Sequence, residues 1–139
     1  MINRLLVIAS ICLLQACATP IGKFKESDMA WTKGTVDISY QQVYRNLQEG
    51  FRKCFPMLFV EGSLYPDINK AHFDIHLVNM FGSRTAWVFG VVDINYITDD
   101  SSNYAIGVNK GIDNPLFAKE GRDREIIEQM VSADYSCAS

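Results

Sequence analysis

No apolar run in this chain is long enough to cross a membrane as a helix. Such a crossing needs about 20 consecutive apolar residues. The run from Leu5 to Leu14 has ten residues, interrupted only by Ser10. A cationic excess is also missing: 13 Lys+Arg stand against 16 Asp+Glu, a formal net charge of −3. That balance offers no electrostatic footprint for nucleic acid. There are only two histidines, His72 and His76, both on one short stretch, which leaves little for a spread-out catalytic triad. No Gly-x-Ser-x-Gly elbow is present, and no Cys-x-x-Cys redox spacing. Internal repeats and low-complexity segments are absent. No catalytic signature is visible, and the expectation is a non-enzymatic protein without a cofactor.

What is present is concentrated at the start. Arg4 and the amino terminus form a small positive region, and the apolar run follows. This order of charge and apolar residues fits a secretory leader. The run ends in Leu14-Gln15-Ala16-Cys17, with a cysteine directly after a small residue.

That junction resembles the lipobox of bacterial lipoproteins, with Leu14, Ala16 and Cys17 at the matching positions. The resemblance implies that residues 1–16 are a signal peptide. It also implies that Cys17 is the lipid attachment site, carrying a diacylglyceryl group and acyl chains of the palmitate class. One myristoyl chain binds a membrane only marginally, and each buried methylene adds about 0.8 kcal/mol, so two or three chains would hold the protein firmly. In Gram-negative members of the family, Asp after the lipidated Cys favours the inner membrane. Ala18 stands there, which implies an outer-membrane location facing the periplasm.

Loss of the leader would leave 123 residues, enough for one domain with a real core, and would leave 12 cations against 16 anions. Cys12 would depart with the leader. Cys54 and Cys137 then remain in an oxidising compartment. They admit a single intramolecular disulfide; two free thiols or bridges between molecules are the alternatives.

Residues 17–34 read as the lipidated N-terminus and a tether, and 35–139 as one α+β domain. Thr35 to Ser39 alternates as a strand. Ser39 and Gln42 form a capping-box pattern ahead of a helix that runs to Cys54, where Pro56 stops it. Val43, Leu47 and Cys54 share one face, flanked by Tyr40, Tyr44 and Phe51, with Gly50 as a weak point or a close packing contact. Met57 to Glu61 reads as a strand and Gly62 to Asn69 as a loop. Ala71 to Met80 alternates, placing Ala71, Phe73, Ile75 and Leu77 on one side and His72, Asp74 and His76 on the other. Thr85 to Tyr96 is apolar on both faces at its middle, which predicts a central strand covered on both sides. Thr98 to Asn103 reads as a polar turn, Tyr104 to Val108 as a strand, and Lys110 to Pro115 as a loop. A last helix spans Asp123 to Asp134 with Ile126, Ile127, Met130 and Val131 as its apolar stripe. The expected fold is a four- to five-stranded, mostly antiparallel sheet with two helices on one face.

The helix motif Tyr40-Gln41-Gln42-Val43-Tyr44-Arg45-Asn46-Leu47, the Cys at its end and the C-terminal Cys resemble small proteobacterial envelope lipoproteins over residues 35–137. That resemblance implies no mechanism. One constellation carries chemistry of its own. Two imidazoles and a carboxylate, His72, Asp74 and His76, on one strand face are a candidate set for Zn²⁺ or Cu²⁺, against a solvated outer face. Asp93, Asp99 and Asp100 are candidate paired carboxylates, though Asp99 and Asp100 suit a turn. Trp87, Phe89, Tyr96 and Tyr104 are candidates for an apolar groove, against core packing. The expected function is a membrane-anchored protein acting through contacts with an envelope protein; the alternative is a small-ligand or metal-binding envelope protein using His72, Asp74 and His76.

Overall fold

The computed structural model describes residues 25–110 and 120–137. The residues read as a signal peptide, Cys17 and the first part of the stretch read as a tether lie outside the described residues, as does most of the 110–115 loop. Within them the order is strand β1 (Met29–Val36), helix α1 (Tyr40–Cys54), strands β2 (Leu58–Tyr65), β3 (Lys70–Val78), β4 (Arg84–Thr98) and β5 (Ser101–Asn109), then helix α2 (Glu120–Val131). The five strands form one sheet in the order β1-β5-β4-β3-β2. Every neighbouring pair is antiparallel. The fold is α+β.

β1 and β2 follow each other in sequence but occupy opposite edges. Five strands span about 19 Å, and a 15-residue helix is about 22 Å long. One helix can therefore carry the chain across the sheet. α1 starts at Ser39, whose side chain accepts a hydrogen bond from the Gln42 amide at 3.3 Å. It ends before Pro56, with the Phe55 amide donating to Phe51 O. Its buried residues are Tyr40, Val43, Leu47, Gly50 and Phe51, a single stripe at helical spacing.

The stripe packs on the sheet face that carries Ala71, Phe73, Ile75, Val92, Ile94, Ile106 and Val108. Phe73 is the centre of this contact. Its ring stacks on Tyr44 at 4.9 Å and tilts against Phe51 at 5.6 Å. α2 adds Ile126, Ile127, Met130 and Val131 to the same core. At Gly50 an added Cβ would stand 2.6 Å from the Met130 side chain, so glycine is what lets the two helices close on each other. Asn46 of α1 donates to Val131 O, satisfying a carbonyl that the end of α2 leaves open.

α2 stops earlier than the sequence pattern suggests, at Val131 rather than Asp134. Ala133 takes a left-handed conformation, φ 61°, with its amide on Met130 O and the Asp134 amide on Gln129 O. The reversal sends the tail back toward α1. Cys54 and Cys137 stand there at disulfide distance, with Cα atoms 4.9 Å apart, within the usual range for a bridge.

Three expectations need correction. β1 begins at Met29, inside the stretch read as tether. Trp31 provides the reason: its ring lies over Gly107, where a Cβ would stand 3.0 Å away, and its indole N–H donates to Glu26 O. β2 continues to Tyr65 through residues read as a loop, because eight register pairs with β3 hold it. Ser101, Ser102 and Asn103, read as turn, open β5. Ser102 is fully buried and donates to Ile38 O at 2.7 Å, so its hydroxyl is satisfied inside the fold.

Candidate functional site on the open sheet face

Strand alternation places His72 and Asp74 on the face opposite the helices. Pairing then completes the group. His72 is opposite Asp93 of β4, and Asp74 is opposite Glu61 of β2. The His72 Nδ1 lies 2.7 Å from Asp93 Oδ1, and its Nε2 lies 3.2 Å from Asp74 Oδ1. The bond to Asp93 above all, followed by Asp74, raises the imidazole to about 9, against an opposing desolvation. His72 is an imidazolium at neutral pH, clamped between two carboxylates, with both ring nitrogens acting as donors.

His76 lies four residues along the same strand in the opposite condition. The register between β3 and β4 slips on both sides of it. The residue is 4 % exposed, and neither ring nitrogen has a hydrogen-bond partner among the described residues. Burial holds it below the ordinary histidine range, with the Arg84 charge acting in the same direction. Its Nε2 stands 3.9 Å from Glu61 Oε2, and that carboxylate is bound by the Arg84 guanidinium. Glu61 thus answers Arg84 first.

The three metal-candidate residues therefore share a face without acting as one group. A metal ligand must offer an imidazole lone pair, and His72 has committed both nitrogens to carboxylates. Among the described residues no group of three His, Cys, Asp or Glu side chains is arranged to hold a metal ion. Asp93 pairs with His72, whereas Asp99 and Asp100 form the tight turn between β4 and β5, so these three are not a carboxylate cluster. Asp93, Glu61 and Arg84 escaped notice as neighbours of the histidines because strand register brings them there: Asp93 reaches His72 across 21 residues, and Arg84 reaches Glu61 across 23.

The four aromatic residues do not share a groove. Phe89 is sealed in the core. Tyr104 sits on the helix-covered side, where it donates to Glu128 at 2.8 Å; burial first, then that bond, pushes its hydroxyl up to about 12. Tyr96 meets Tyr40 edge to face at 6.4 Å. Trp87 is mostly exposed, which corrects the expectation that β4 is covered on both sides. Both helices pack on one face, and the apolar middle of β4 reflects its bulges. A separate open recess of about 730 Å³ lies between α1 and the β2 edge, with Phe55, Leu58 and Val60 in its wall and Arg45 and Arg52 at its rim.

The geometry defines a two-layer α+β domain with one charged sheet face that neither helix covers. No protein-family model, curated protein or solved structure matches the chain. Among the described residues no helix is long and apolar enough to cross a membrane.

Proposed function

We propose that this chain is a lipid-anchored envelope protein that acts through contacts with other envelope proteins rather than through catalysis. The observation that carries the reading is the junction Leu14-Gln15-Ala16-Cys17 after a ten-residue apolar run. Its lipid would sit on Cys17 and its domain would face the periplasm from the outer membrane. The cysteine inventory supports this: outside the leader and the junction only Cys54 and Cys137 remain, and they stand at disulfide distance, as an oxidising compartment favours. Anchorage raises the effective concentration near membrane-bound partners, so modest contacts suffice. The uncovered sheet face is the surface for them: His72 is held there as a structural cation rather than as a free base. The metal-binding alternative through His72, Asp74 and His76 has less support, since it requires His72 to leave both carboxylates.

Intact mass of the membrane-extracted protein, with and without reduction and alkylation, tests the reading. The expected result is loss of residues 1–16, acyl mass on Cys17, and alkylation of Cys54 and Cys137 only after reduction. A retained leader with a free Cys17 thiol overturns it.

A further inference from the structure

The two ends of the sheet differ in chemistry. One end carries the start of β1, the start of β2, the β3–β4 turn and the end of β5. It exposes Met80 at 92 %, Phe81 at 85 %, Met57 at 71 % and Trp87 at 61 %. The β4–β5 ladder starts only at Gly90, so the β3–β4 hairpin projects past the body of the sheet and presents Met80 and Phe81 at its tip. The opposite end also exposes apolar side chains, Ile68 at 56 %, Tyr65 at 44 % and Ile97 at 43 %, but none as fully as Met80 and Phe81. An apolar group exposed to this degree marks a contact with protein or membrane. The tip backbone is already satisfied: the Phe81 and Ser83 amides donate to Asn79 Oδ1, and the Gly82 amide to Asn79 O. Leaving water therefore exposes few unpaired donors to an apolar medium.

Two further observations select the occupant. The described chain begins at Lys25, at this same end, and Cys17 lies eight residues earlier. Eight residues reach at most about 29 Å, so a lipid on Cys17 keeps this end close to the bilayer. The charges agree. Lys25, Lys53, Arg84 and Lys110 lie at or near this end with Glu26 and Asp28, and Lys53 and Arg84 are paired with Glu49 and Glu61, so this end is close to neutral; the opposite end carries Asp37, Asp67, Asp99 and Asp100 against Lys70. The acidic end points away from an anionic lipid surface.

The geometry points to a membrane-docking tip: Met80 and Phe81, flanked by Met57 and Trp87, enter the headgroup region of the bilayer that holds the lipid. This rests on the reading of Cys17 as the acylated residue. Docking fixes the orientation of the domain, with the sheet strands rising from the membrane and the charged face turned sideways toward a partner. Trp favours the membrane–water interface, and Phe accompanies it on the buried apolar faces of interfacial segments.

The test uses the full lipoprotein reconstituted in phosphatidylethanolamine–phosphatidylglycerol vesicles with brominated acyl chains. Tryptophan is placed at the tip by Phe81→Trp and near the opposite end by Ile97→Trp, and emission above that of the unsubstituted protein is read. Both positions are exposed, so both variants keep the core intact. The expected result is emission from Phe81→Trp quenched about twofold or more, at the depth of an interfacial side chain, with Ile97→Trp unquenched. Equal quenching at the two positions overturns the orientation. Solvent-like emission from Phe81→Trp, in protein whose intact mass retains acyl chains on Cys17, overturns the lipid contact alone. Absence of acyl mass on Cys17 overturns both the anchor and the docking.

Discussion

His72 and His76 lie on one strand, two alternations apart, and they live in opposite electrostatic worlds. His72 sits among carboxylates and is charged; His76 is buried where the β3–β4 register slips and is neutral. The same contrast holds on a larger scale between the two faces of the sheet. The helix-covered face is an apolar core with Phe73 at its centre. The open face is a set of short-range charge pairs with solvent access. Residue type alone does not produce these differences; coverage does. A charge pair contributes little where water competes for it, and an apolar ring contributes much where water is excluded.

Substitutions on each face measure that contrast. Phe73→Ala removes the ring that both Tyr44 and Phe51 contact, and a cost of about 3–5 kcal/mol is expected in urea unfolding. Removing the bridge by Cys54→Ala with Cys137→Ser should cost about 2–4 kcal/mol, since the pair closes a separation of 83 residues. Unfolding of the oxidised protein with and without reductant should show the same difference.

On the open face the effects are smaller and depend on pH. The folded pKa of His72 lies above its unfolded value of 6.5. Its contribution is complete below pH 6.5 and is lost as pH rises through about 9. The nominal shift corresponds to about 3 kcal/mol; solvent around the half-exposed carboxylates reduces this to about 1–2 kcal/mol. His72→Gln should lower stability most below pH 6.5 and leave it unchanged above about pH 9, flattening the profile over that window. His76 works in the reverse sense. Its folded pKa is depressed, so its stabilising effect is present above pH 6.5 and is lost as pH falls below it. His76→Leu should remove part of the acid sensitivity, read from unfolding midpoints at successive pH values. The smallest effect belongs to Arg84→Ala. Its pair with Glu61 is exposed, so a change under about 1 kcal/mol is expected, together with loss of its salt dependence.

Much of the architecture was legible before any coordinates. Ser39 and Pro56 bracket α1 by local chemistry, and Ser39 caps the Gln42 amide as expected; the Gln42 side chain turns to Asn46 and does not close the capping box. The alternation assigned the buried side of β3 correctly from Ala71 to Ile75 and failed at His76, which is buried where the register slips. Gly50 was flagged as a close contact and meets Met130. Readings failed where a residue's state depended on a distant neighbour. Trp31 looked like part of a tether until Gly107 was opposite it. Ser101 and Ser102 looked like a turn until Ile38 offered an acceptor for the buried hydroxyl.

By itself, then, the sequence determined the helices, the alternating strand and the number of strands to within one, and it carries the order of charge, apolar run and cysteine on which the lipobox proposal rests. These depend on neighbours three or four residues away, or on the order of residue types along the chain. Only the tertiary structure decided that Asp93 clamps His72, that Glu61 answers Arg84 while His76 stays buried and neutral, and that Met80, Phe81 and Met57 share one end with the incoming chain. Those arrangements are set by strand register and by which face the helices cover. Both follow from the packing of the whole domain, which no local stretch encodes.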